Sequence, residues 1–397
     1  MRARLHPGIL VRLNDLGLIA LICAAGLFGP AVSLATRGVV PAVVGQLLAG
    51  VVLGRTGFGV LDTDDAGLQL LYTLGFATLM FTVGMHIPLH DARVRSSLRR
   101  GVIALVVAAP LALAAAFGAH LASGGPTLIY AVVVVSSSAA VALPVIRENR
   151  LHGETVLTAI AWITIADVVA TVLVPLTINP AKAGRAALGA LIVAALVALV
   201  FLVAERLRHE PLVKRIRKEG KRREWAIDLR LALTVLVTLS FVAQKVGASV
   251  LVAGFGTGLV VAAIGGPKRL SREVLGLGQG FLVPLFFVLL GAQLDLRELT
   301  GGDDVLLVCL LSAAAAAVHC LTALALRLPA AAGLLASAQI GVPAAAIALG
   351  LAAGTLSQGQ ASAIFCAALV SIGACSAGAW SLSRAQVPAT VGVASGG

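Results

Sequence analysis

The sequence predicts an all-α, polytopic membrane protein with about thirteen transmembrane helices. Of its 397 residues, 59% are hydrophobic and only 12% are charged, and the mean hydropathy is +1.01. Soluble domains carry about 25% charged residues, so this composition excludes an ordinary soluble domain. Apolar segments of about 20 residues recur along the whole chain, which is the length that an α-helix needs to cross a bilayer.

Proline, glycine and charged residues separate the apolar segments and set the predicted boundaries. The predicted spans lie near 15–36, 39–55, 67–88, 100–121, 127–147, 154–178, 184–206, 225–245, 247–264, 275–294, 304–326, 329–353 and 358–380. The chain therefore divides into an N-terminal tail (1–14), a transmembrane domain (15–380) and a short C-terminal tail (381–397). We expect no cleaved signal peptide and no cytosolic regulatory domain.

The basic residues predict the orientation of these helices. A net charge of +12 would suggest nucleic acid as the partner of a soluble chain, but here Lys and Arg lie in short loops, and most of the 30 fall on one side. The positive-inside rule then predicts an external N-terminus and a cytoplasmic C-terminus in the cell (inner) membrane, with no nucleic-acid partner. We interpret the long basic loop "ERLRHEPLVKRIRKEGKRRE" (205–224) as a topology determinant, with a regulatory or lipid-binding role as the alternative.

An internal repeat organises the chain. The segments "GQLLAGVVLG" (45–54) and "SVLVAGFGTG" (249–258) share an Ala-Gly pair followed four residues later by Gly, and "LMFTVGMHIPL" (79–89) resembles "LFFVLLGAQLDL" (285–296). We assign repeat one to 15–178, a linker helix with the basic loop to 184–224, and repeat two to 225–380. Because seven helices separate corresponding elements, the copies have opposite membrane orientations, as in many secondary transporters.

One predicted helix in each copy is interrupted near its centre. The interrupted helix of the first copy carries Ser136, Ser137, Ser138 and Pro144, and that of the second carries Gln339, Gly341 and Pro343. Proline removes a backbone donor, and serine can satisfy the backbone groups that a break leaves free. A kinked bundle helix is the alternative, but two breaks at matching positions favour a transporter binding site.

Asp167 lies at the centre of the apolar run "AIAWITIADVVATVLVPL" (159–176). A carboxylate in a span costs roughly 2.5–3.5 kcal/mol on insertion and therefore indicates a function. We expect it to bind either a proton or an alkali cation, and competition for one carboxylate is sufficient for antiport. Thr164 and Thr171 lie within one turn at helical spacing. They are candidate ligands, with backbone-bonded threonine as the alternative.

The second copy lacks this charge, because its matching position is Ser371. His319 is the other ionisable group inside a predicted span, and it is either a structural histidine or a partner of Asp167. The five cysteines lie in apolar runs with no CxxC pair, so we interpret them as small buried hydrophobic residues. We predict no cofactor, and no metal beyond a transported monovalent cation at Asp167.

Several motifs together resemble a known family. They are "PAVVGQLLAGVVLG" (41–54), "LGFATLMFTVGMHIPL" (74–89), "SSSAAVALPVIRE" (136–148), "ADVVATVLVPL" (166–176) and "VPLFFVLLGAQLDL" (283–296). In this order they are similar to motifs of the monovalent cation:proton antiporter-2 family, the Kef-type sodium/hydrogen exchangers, over roughly 38–380. The resemblance implies the sodium/proton antiporter fold with crossed broken helices, a core domain and a dimerisation domain, and hence a homodimer.

The chain departs from this family's pattern at four positions. Ala166 precedes the aspartate where many relatives have a second polar residue, and Val342 stands where Kef-type members have Glu. Gln46 replaces a Glu, and His319 lies near the position of a family Lys or Arg. With a single carboxylate remaining, we expect one-for-one, electroneutral exchange.

We therefore predict a secondary active transporter, not an enzyme, that exchanges Na⁺ or K⁺ for protons by alternating access. One alternative is a related-fold solute symporter or a uniporter, which the lack of Lys or Arg at the span centres disfavours. The other is a non-transporting membrane sensor. The glycine-rich segments "GLGQGF" (276–281) and "GFGTGL" (254–259) have no strand–turn–helix context, so we interpret them as helix-packing sites rather than nucleotide sites.

Overall fold

The computed structural model describes residues 15–36, 40, 42–85, 92–178, 183–265, 273 and 276–386. Within these ranges all regular structure is helical. The predicted tail 1–14, residues 387–397 of the predicted C-terminal tail, and most of the predicted loop between the ninth and tenth spans lie outside the described residues.

Sixteen α-helices follow one another in the described part of the chain. They are α1 (Asp15–Ala35), α2 (Ala42–Leu53), α3 (Ala66–Met85), α4 (Ala92–Ser123), α5 (Thr127–Val135), α6 (Ala139–Glu148), α7 (Glu154–Ile178), α8 (Ala183–Leu207), α9 (Pro211–Arg222), α10 (Ile227–Lys245), α11 (Val250–Ala263), α12 (Val283–Gln293), α13 (Gly302–Ala325), α14 (Ala330–Ala336), α15 (Gly341–Ala353) and α16 (Gln358–Gln386). A π-helical turn (Gly278–Leu282) precedes α12, and a 3₁₀ turn (Leu296–Thr300) follows it.

A helix or a broken helix lies at every predicted span. Eight helices of the described residues are long and apolar enough to cross a membrane, and α14 with α15 form a pair bent by 44° that counts as a ninth span. The helical segments at α2, α11 and 278–293 are shorter, and α5 and α6 are two short pieces of one predicted span. The multi-span helical architecture is confirmed, and the exact number of thirteen crossings stays a prediction. The last helix ends at Gln386, beyond the predicted boundary at 380.

The basic segment predicted as a loop at 205–224 contains a helix, α9, instead. Its twelve residues have no apolar run, which is why hydropathy did not reveal it. Pro211 occupies its first turn, where proline is tolerated because the first backbone N–H groups have no partner within the helix.

The helices form two groups. The core bundle consists of α4–α7 and α13–α16, in which α4 packs on α5, α7 and α13, and α16 packs on α13, α14 and α15. The outer group consists of α1–α3, α8 and α10–α12, in which α2 packs on α1 and α12, and α3 packs on α11 and α12. Helices α8 and α11 also contact α7, so the groups share a boundary.

Glycines bring helices of the two repeats into close contact in the outer group. A Cβ atom on Gly50 of α2 would overlap the backbone carbonyl of Val288 of α12. In the same way, a Cβ on Gly258 of α11 would overlap the carbonyl of Phe81 of α3. Each contact joins one helix from each repeat, and the two contacts have the same kind of geometry. This pairing supports the predicted repeat and explains its shared glycines by close packing.

Both predicted helix breaks are present in the core bundle. Residues 136–138 separate α5 from α6, and Ser136 has an extended backbone (φ −71°, ψ 156°). Residues 337–340 separate α14 from α15, and Pro343 lies in the first turn of α15, where it removes no helical hydrogen bond. The two breaks lie side by side, since hydrogen bonds join them directly.

Candidate ion-binding site

Asp167 is buried on α7 beside the first break, with only 5% of its surface exposed. Its Oδ2 atom accepts a hydrogen bond from the backbone N–H of Ala139, the first residue of α6, at 3.0 Å. A helix N-terminus has free N–H groups and a positive dipole end, which stabilise a carboxylate. Among the residues whose side-chain burial the structure describes, Asp167 is the only buried carboxylate.

The three serines of the first break are all buried, but they have different partners. The hydroxyl of Ser136 donates to the carbonyl of Val133 at 2.7 Å. Ser138, next to the residue that binds the carboxylate, has a buried hydroxyl with no hydrogen-bond partner. A buried polar group without a partner is unfavourable unless something binds it. Ser138 is therefore the serine whose oxygen is free to serve as a ligand beside Asp167.

The two breaks satisfy each other's backbone carbonyls. The hydroxyl of Ser137 in the first break donates to the carbonyl of Ala336, the last residue of α14, at 2.7 Å. The side-chain Nε2 of Gln339 in the second break donates to the carbonyl of Val134, in the last turn of α5, at 3.2 Å. Carbonyls at the end of a helix have no intrahelical donor, so each broken helix caps the other. This is how both breaks are tolerated in a buried region.

Ser371, the predicted counterpart of Asp167, lies on α16, the helix that follows the second broken helix. Its Oγ accepts a hydrogen bond from the backbone N–H of Gln339 in the second break at 3.1 Å and donates to the carbonyl of Ala368 at 2.7 Å. In each copy, therefore, the helix after the broken helix offers a side-chain oxygen to a backbone N–H of the break. The oxygen is a carboxylate in the first copy and a hydroxyl in the second.

The remaining predicted site residues on α7 and α15 are less directly engaged. Thr164 is buried and donates its hydroxyl to the carbonyl of Ile160 at 2.8 Å, which agrees with the backbone-bonded alternative. Thr171 is buried one turn after Asp167. Gly341 begins α15, and a Cβ atom there would meet no other atom, so close packing does not explain this glycine.

His319 on α13 is fully buried, and its contacts are to the first break rather than to Asp167. Its Nδ1 lies 2.8 Å from the carbonyl oxygen of Ala315, and its Nε2 lies 3.4 Å from Ser137 Oγ. Its ring stacks on Trp162 of α7, with ring centroids 5.3 Å apart. Among the described residues, no hydrogen bond or ion pair joins His319 to Asp167. His319 supports the serine that caps α14.

Sequence reasoning did not identify several of these contributors. The groups that it missed are the backbone atoms of Val134, Ala139 and Ala336, and the indole ring of Trp162. Backbone groups leave no residue signature, but Trp162 is the only aromatic residue in the apolar run around Asp167, which is a usable signal. No group of three or more His, Cys, Asp or Glu side chains placed to hold a metal ion occurs in the described ranges.

An apolar cavity marks the boundary between the core bundle and the outer group. Leu47 of α2 and Leu290 of α12 line it from the outer group. Ile340 and Pro343 line it from the second break. The outer group thus faces this break with the hydrocarbon side chains of Leu47 and Leu290, which form no hydrogen bonds.

The multi-span helices and the paired helix breaks together define a polytopic membrane protein with the architecture of a secondary transporter. The family model of the sodium/hydrogen exchanger transmembrane domain matches residues 17–379. The chain therefore belongs to the sodium/hydrogen exchanger family.

The named relatives share about a quarter of their aligned residues with this chain. The chain is 24% identical over 285 residues to the putative Na⁺/H⁺ antiporter YjbQ of Bacillus subtilis, and 25% identical over 261 residues to the Na⁺/H⁺ antiporter NhaS5 of Synechocystis. These matches cover 68% and 64% of this chain but only 46% and 36% of those proteins. A third relative, the probable Na⁺/H⁺ antiporter 3 of Methanocaldococcus jannaschii, is 24% identical and is covered over 72% of its length.

A solved structure has the same fold. The sodium proton antiporter MjNhaP1 from Methanocaldococcus jannaschii at pH 8 matches with a TM-score of 0.62 and 16% sequence identity. The match covers 93% of this chain and 97% of that one. The predicted sodium/proton antiporter fold is thereby confirmed.

Proposed function

We propose that this protein exchanges a monovalent cation, Na⁺ or K⁺, for protons, with Asp167 as the carboxylate that binds both. The observation that carries this proposal is the buried carboxylate at a helix break, 3.0 Å from the N–H of Ala139. An isolated ionised group inside a membrane is unfavourable and is retained where it serves transport. The named Na⁺/H⁺ antiporters among the relatives support Na⁺ and H⁺ as substrates.

The chemistry follows from the ligands beside the carboxylate. A charged carboxylate with hydroxyl and carbonyl oxygens is a hard oxygen site, which suits an alkali cation. The unpartnered hydroxyl of Ser138 belongs to the residue next to Ala139, whose N–H binds the carboxylate, and Thr171 lies on the same face of α7 as Asp167. Because one carboxylate cannot hold a proton and a cation together, loading of either ion displaces the other.

Alternating access requires the site to open to each side in turn. The apolar part of the boundary beside the second break is suited to this movement, because hydrocarbon surfaces that slide there break no hydrogen bonds. The reciprocal caps through Ser137 and Gln339 hold the two breaks together as one unit. We propose that the core bundle moves as a body against the outer group and carries Asp167 with it.

The test is proton flux in proteoliposomes with an imposed pH gradient, to which Na⁺, K⁺ or Li⁺ is added. We expect the wild type to dissipate the gradient on cation addition and Asp167→Asn to leave it intact, because the amide keeps the shape but cannot carry the charge. The matched control is Asp303→Asn, an exposed aspartate at the start of α13, which we expect to behave as wild type. Cation-dependent dissipation by Asp167→Asn rules the mechanism out.

The same assay separates the alternatives. A symporter or uniporter gives no proton flux coupled to the cation, and a non-transporting sensor gives neither flux. Repeating the assay with the voltage clamped by K⁺ and valinomycin tests electroneutrality, which the single buried carboxylate leads us to propose. Unchanged initial rates under the clamp support one-for-one exchange.

We extend the proposal to the family branch, the membrane orientation, the oligomeric state and the lack of enzymatic activity. The motifs around the first break support placement in the Kef-type branch of the family. The distribution of Lys and Arg supports an external N-terminus and a cytoplasmic C-terminus in the cell membrane. We further propose that the outer group forms the interface of a homodimer, as the resemblance implies. Ion exchange without any bond-making chemistry accounts for all site residues, so we propose no enzymatic activity.

A further inference from the structure

The helix α9 lies between two membrane spans and has a basic, amphipathic sequence. Short connections join it to the end of α8 at Leu207 and to the start of α10 at Ile227. Its position along the chain therefore keeps it at a membrane surface. The proposed exchange makes no use of α9, whose residues lie outside the core bundle.

One face of α9 is docked on the start of α10. The guanidinium of Arg217 pairs with the carboxylate of Asp228 at 3.1 Å. Gly220 is buried, and a Cβ atom there would overlap the side chain of Ile227. The turn between the helices is closed by a hydrogen bond from the N–H of Trp225 to the carbonyl of Gly220 at 2.9 Å. These contacts fix the orientation of α9 relative to the span.

A second face of α9 is apolar and exposed. Leu212 and Ile216, one turn apart, are 67% and 44% exposed, and Trp225 just beyond the helix is 44% exposed. The three side chains have no apolar partner that covers them in the described structure. Leucine and isoleucine on one side of a basic helix, with a tryptophan just beyond its end, are residues that enter the headgroup and acyl boundary of a bilayer.

The charged residues of α9 include both paired and unpaired cations. Arg222 and Arg223 both pair with Glu219, at 2.6 and 2.5 Å. In contrast, Lys214, Arg215 and Lys218 are exposed and make no ion pair with any described residue. By helical spacing, Lys214 and Lys218 lie on the polar side opposite Leu212 and Ile216, and Arg215 lies at the flank of the apolar face. Long basic side chains can extend to headgroups while their stems stay on apolar surface.

We propose that α9 is an interfacial helix that binds anionic phospholipids, through Leu212 and Ile216 in the acyl boundary and Lys214, Arg215 and Lys218 at the phosphates. Anionic lipid attracts basic segments next to membrane spans, and the attraction adds with each Lys or Arg. A soluble acidic partner would explain the cations alone. The exposed apolar residues beside them, on a helix tethered at both ends to spans, favour lipid.

The test is hydrogen–deuterium exchange of the full chain in nanodiscs of phosphatidylcholine alone or mixed with phosphatidylglycerol. We expect amides of 211–222 to exchange severalfold more slowly in the mixed nanodiscs, while those of α16 do not change. In the triple variant Lys214→Gln/Arg215→Gln/Lys218→Gln, the difference between the two lipids is lost. High salt is expected to reduce the difference in the wild type.

The matched control removes the same charge elsewhere. Arg99→Gln/Lys245→Gln/Arg327→Gln changes three exposed cations of other helices and loops, and we expect it to keep the lipid difference of the wild type. A second variant, Leu212→Ser/Ile216→Ser, tests the apolar face and is expected to speed exchange of α9 in both lipids.

Equal exchange of wild-type α9 in the two lipids overturns the proposal. So does protection that persists in detergent without lipid, since it indicates that a second copy or another protein segment covers the helix. Because no transport is measured, this result is independent of the test of Asp167.

Discussion

The two predicted repeats present a similar kind of contact at the centre of the molecule, with different chemistry. In the first, the carboxylate of Asp167 accepts the N–H of Ala139 at a helix break; in the second, the hydroxyl of Ser371 accepts the N–H of Gln339. A hydroxyl can satisfy a backbone donor as well as a carboxylate can, but it carries no charge. The comparison teaches that the break needs only an acceptor, whereas the proposed ion site needs a charge, and of these two residues only Asp167 offers one.

The strongest test of this comparison moves the carboxylate to the other copy. We expect the double variant Asp167→Ser/Ser371→Asp to fold but to show no cation-dependent proton flux in proteoliposomes. The free hydroxyl of Ser138 lies in the first copy, whereas Ser337 in the second break already donates to the carbonyl of Leu334. Size-exclusion chromatography in detergent checks folding. Exchange by the double variant contradicts the proposed asymmetry.

A smaller effect is expected where the breaks cap each other. Gln339→Ala leaves the carbonyl of Val134 without its side-chain donor, and a buried unsatisfied polar group costs about 1–3 kcal/mol. We expect a lower midpoint of thermal unfolding in detergent. The control Gln244→Ala changes an exposed glutamine on α10 and is expected to leave the midpoint unchanged. Equal midpoints for the two variants argue against a capping role for Gln339.

The smallest effect is expected at Ser371. Ser371→Ala removes the acceptor for the N–H of Gln339, and we expect a loss of about 1 kcal/mol in stability, with ion exchange retained. Unfolding midpoints and proteoliposome flux measure the two quantities on one preparation. Loss of flux as complete as that of Asp167→Asn means that the hydroxyl is part of the ion site after all.

The sequence predicted the features that hydropathy and single residues record. The multi-span helical architecture, both breaks and the buried position of Asp167 are found in the structure, because apolar runs and a mid-span carboxylate have direct physical signatures. The helix α9 was predicted as a loop, since its residues make no apolar run and its order depends on contacts such as Arg217 to Asp228.

The partners within the site were less predictable. Ser137 and Gln339 were named as residues of the breaks, but their acceptors are backbone carbonyls, which every residue has. His319 was expected either as a structural residue or as a partner of Asp167, and only the packing of α13 against α7 brings it to Ser137 and Trp162. Such pairings depend on helix crossing geometry, which one sequence does not encode locally.

The glycine contacts of the outer group have a consequence for how the chain is made. Gly50 and Phe81 emerge from the ribosome about 200 residues before Val288 and Gly258, the residues that complete their contacts. At about 5–20 residues per second, this delay is roughly 10–40 s. During that interval α2 and α3 sit in the bilayer without the helices that cover them. A prematurely terminated chain can never close these surfaces, so the close-packing faces of α2 and α3 stay without their partner helices.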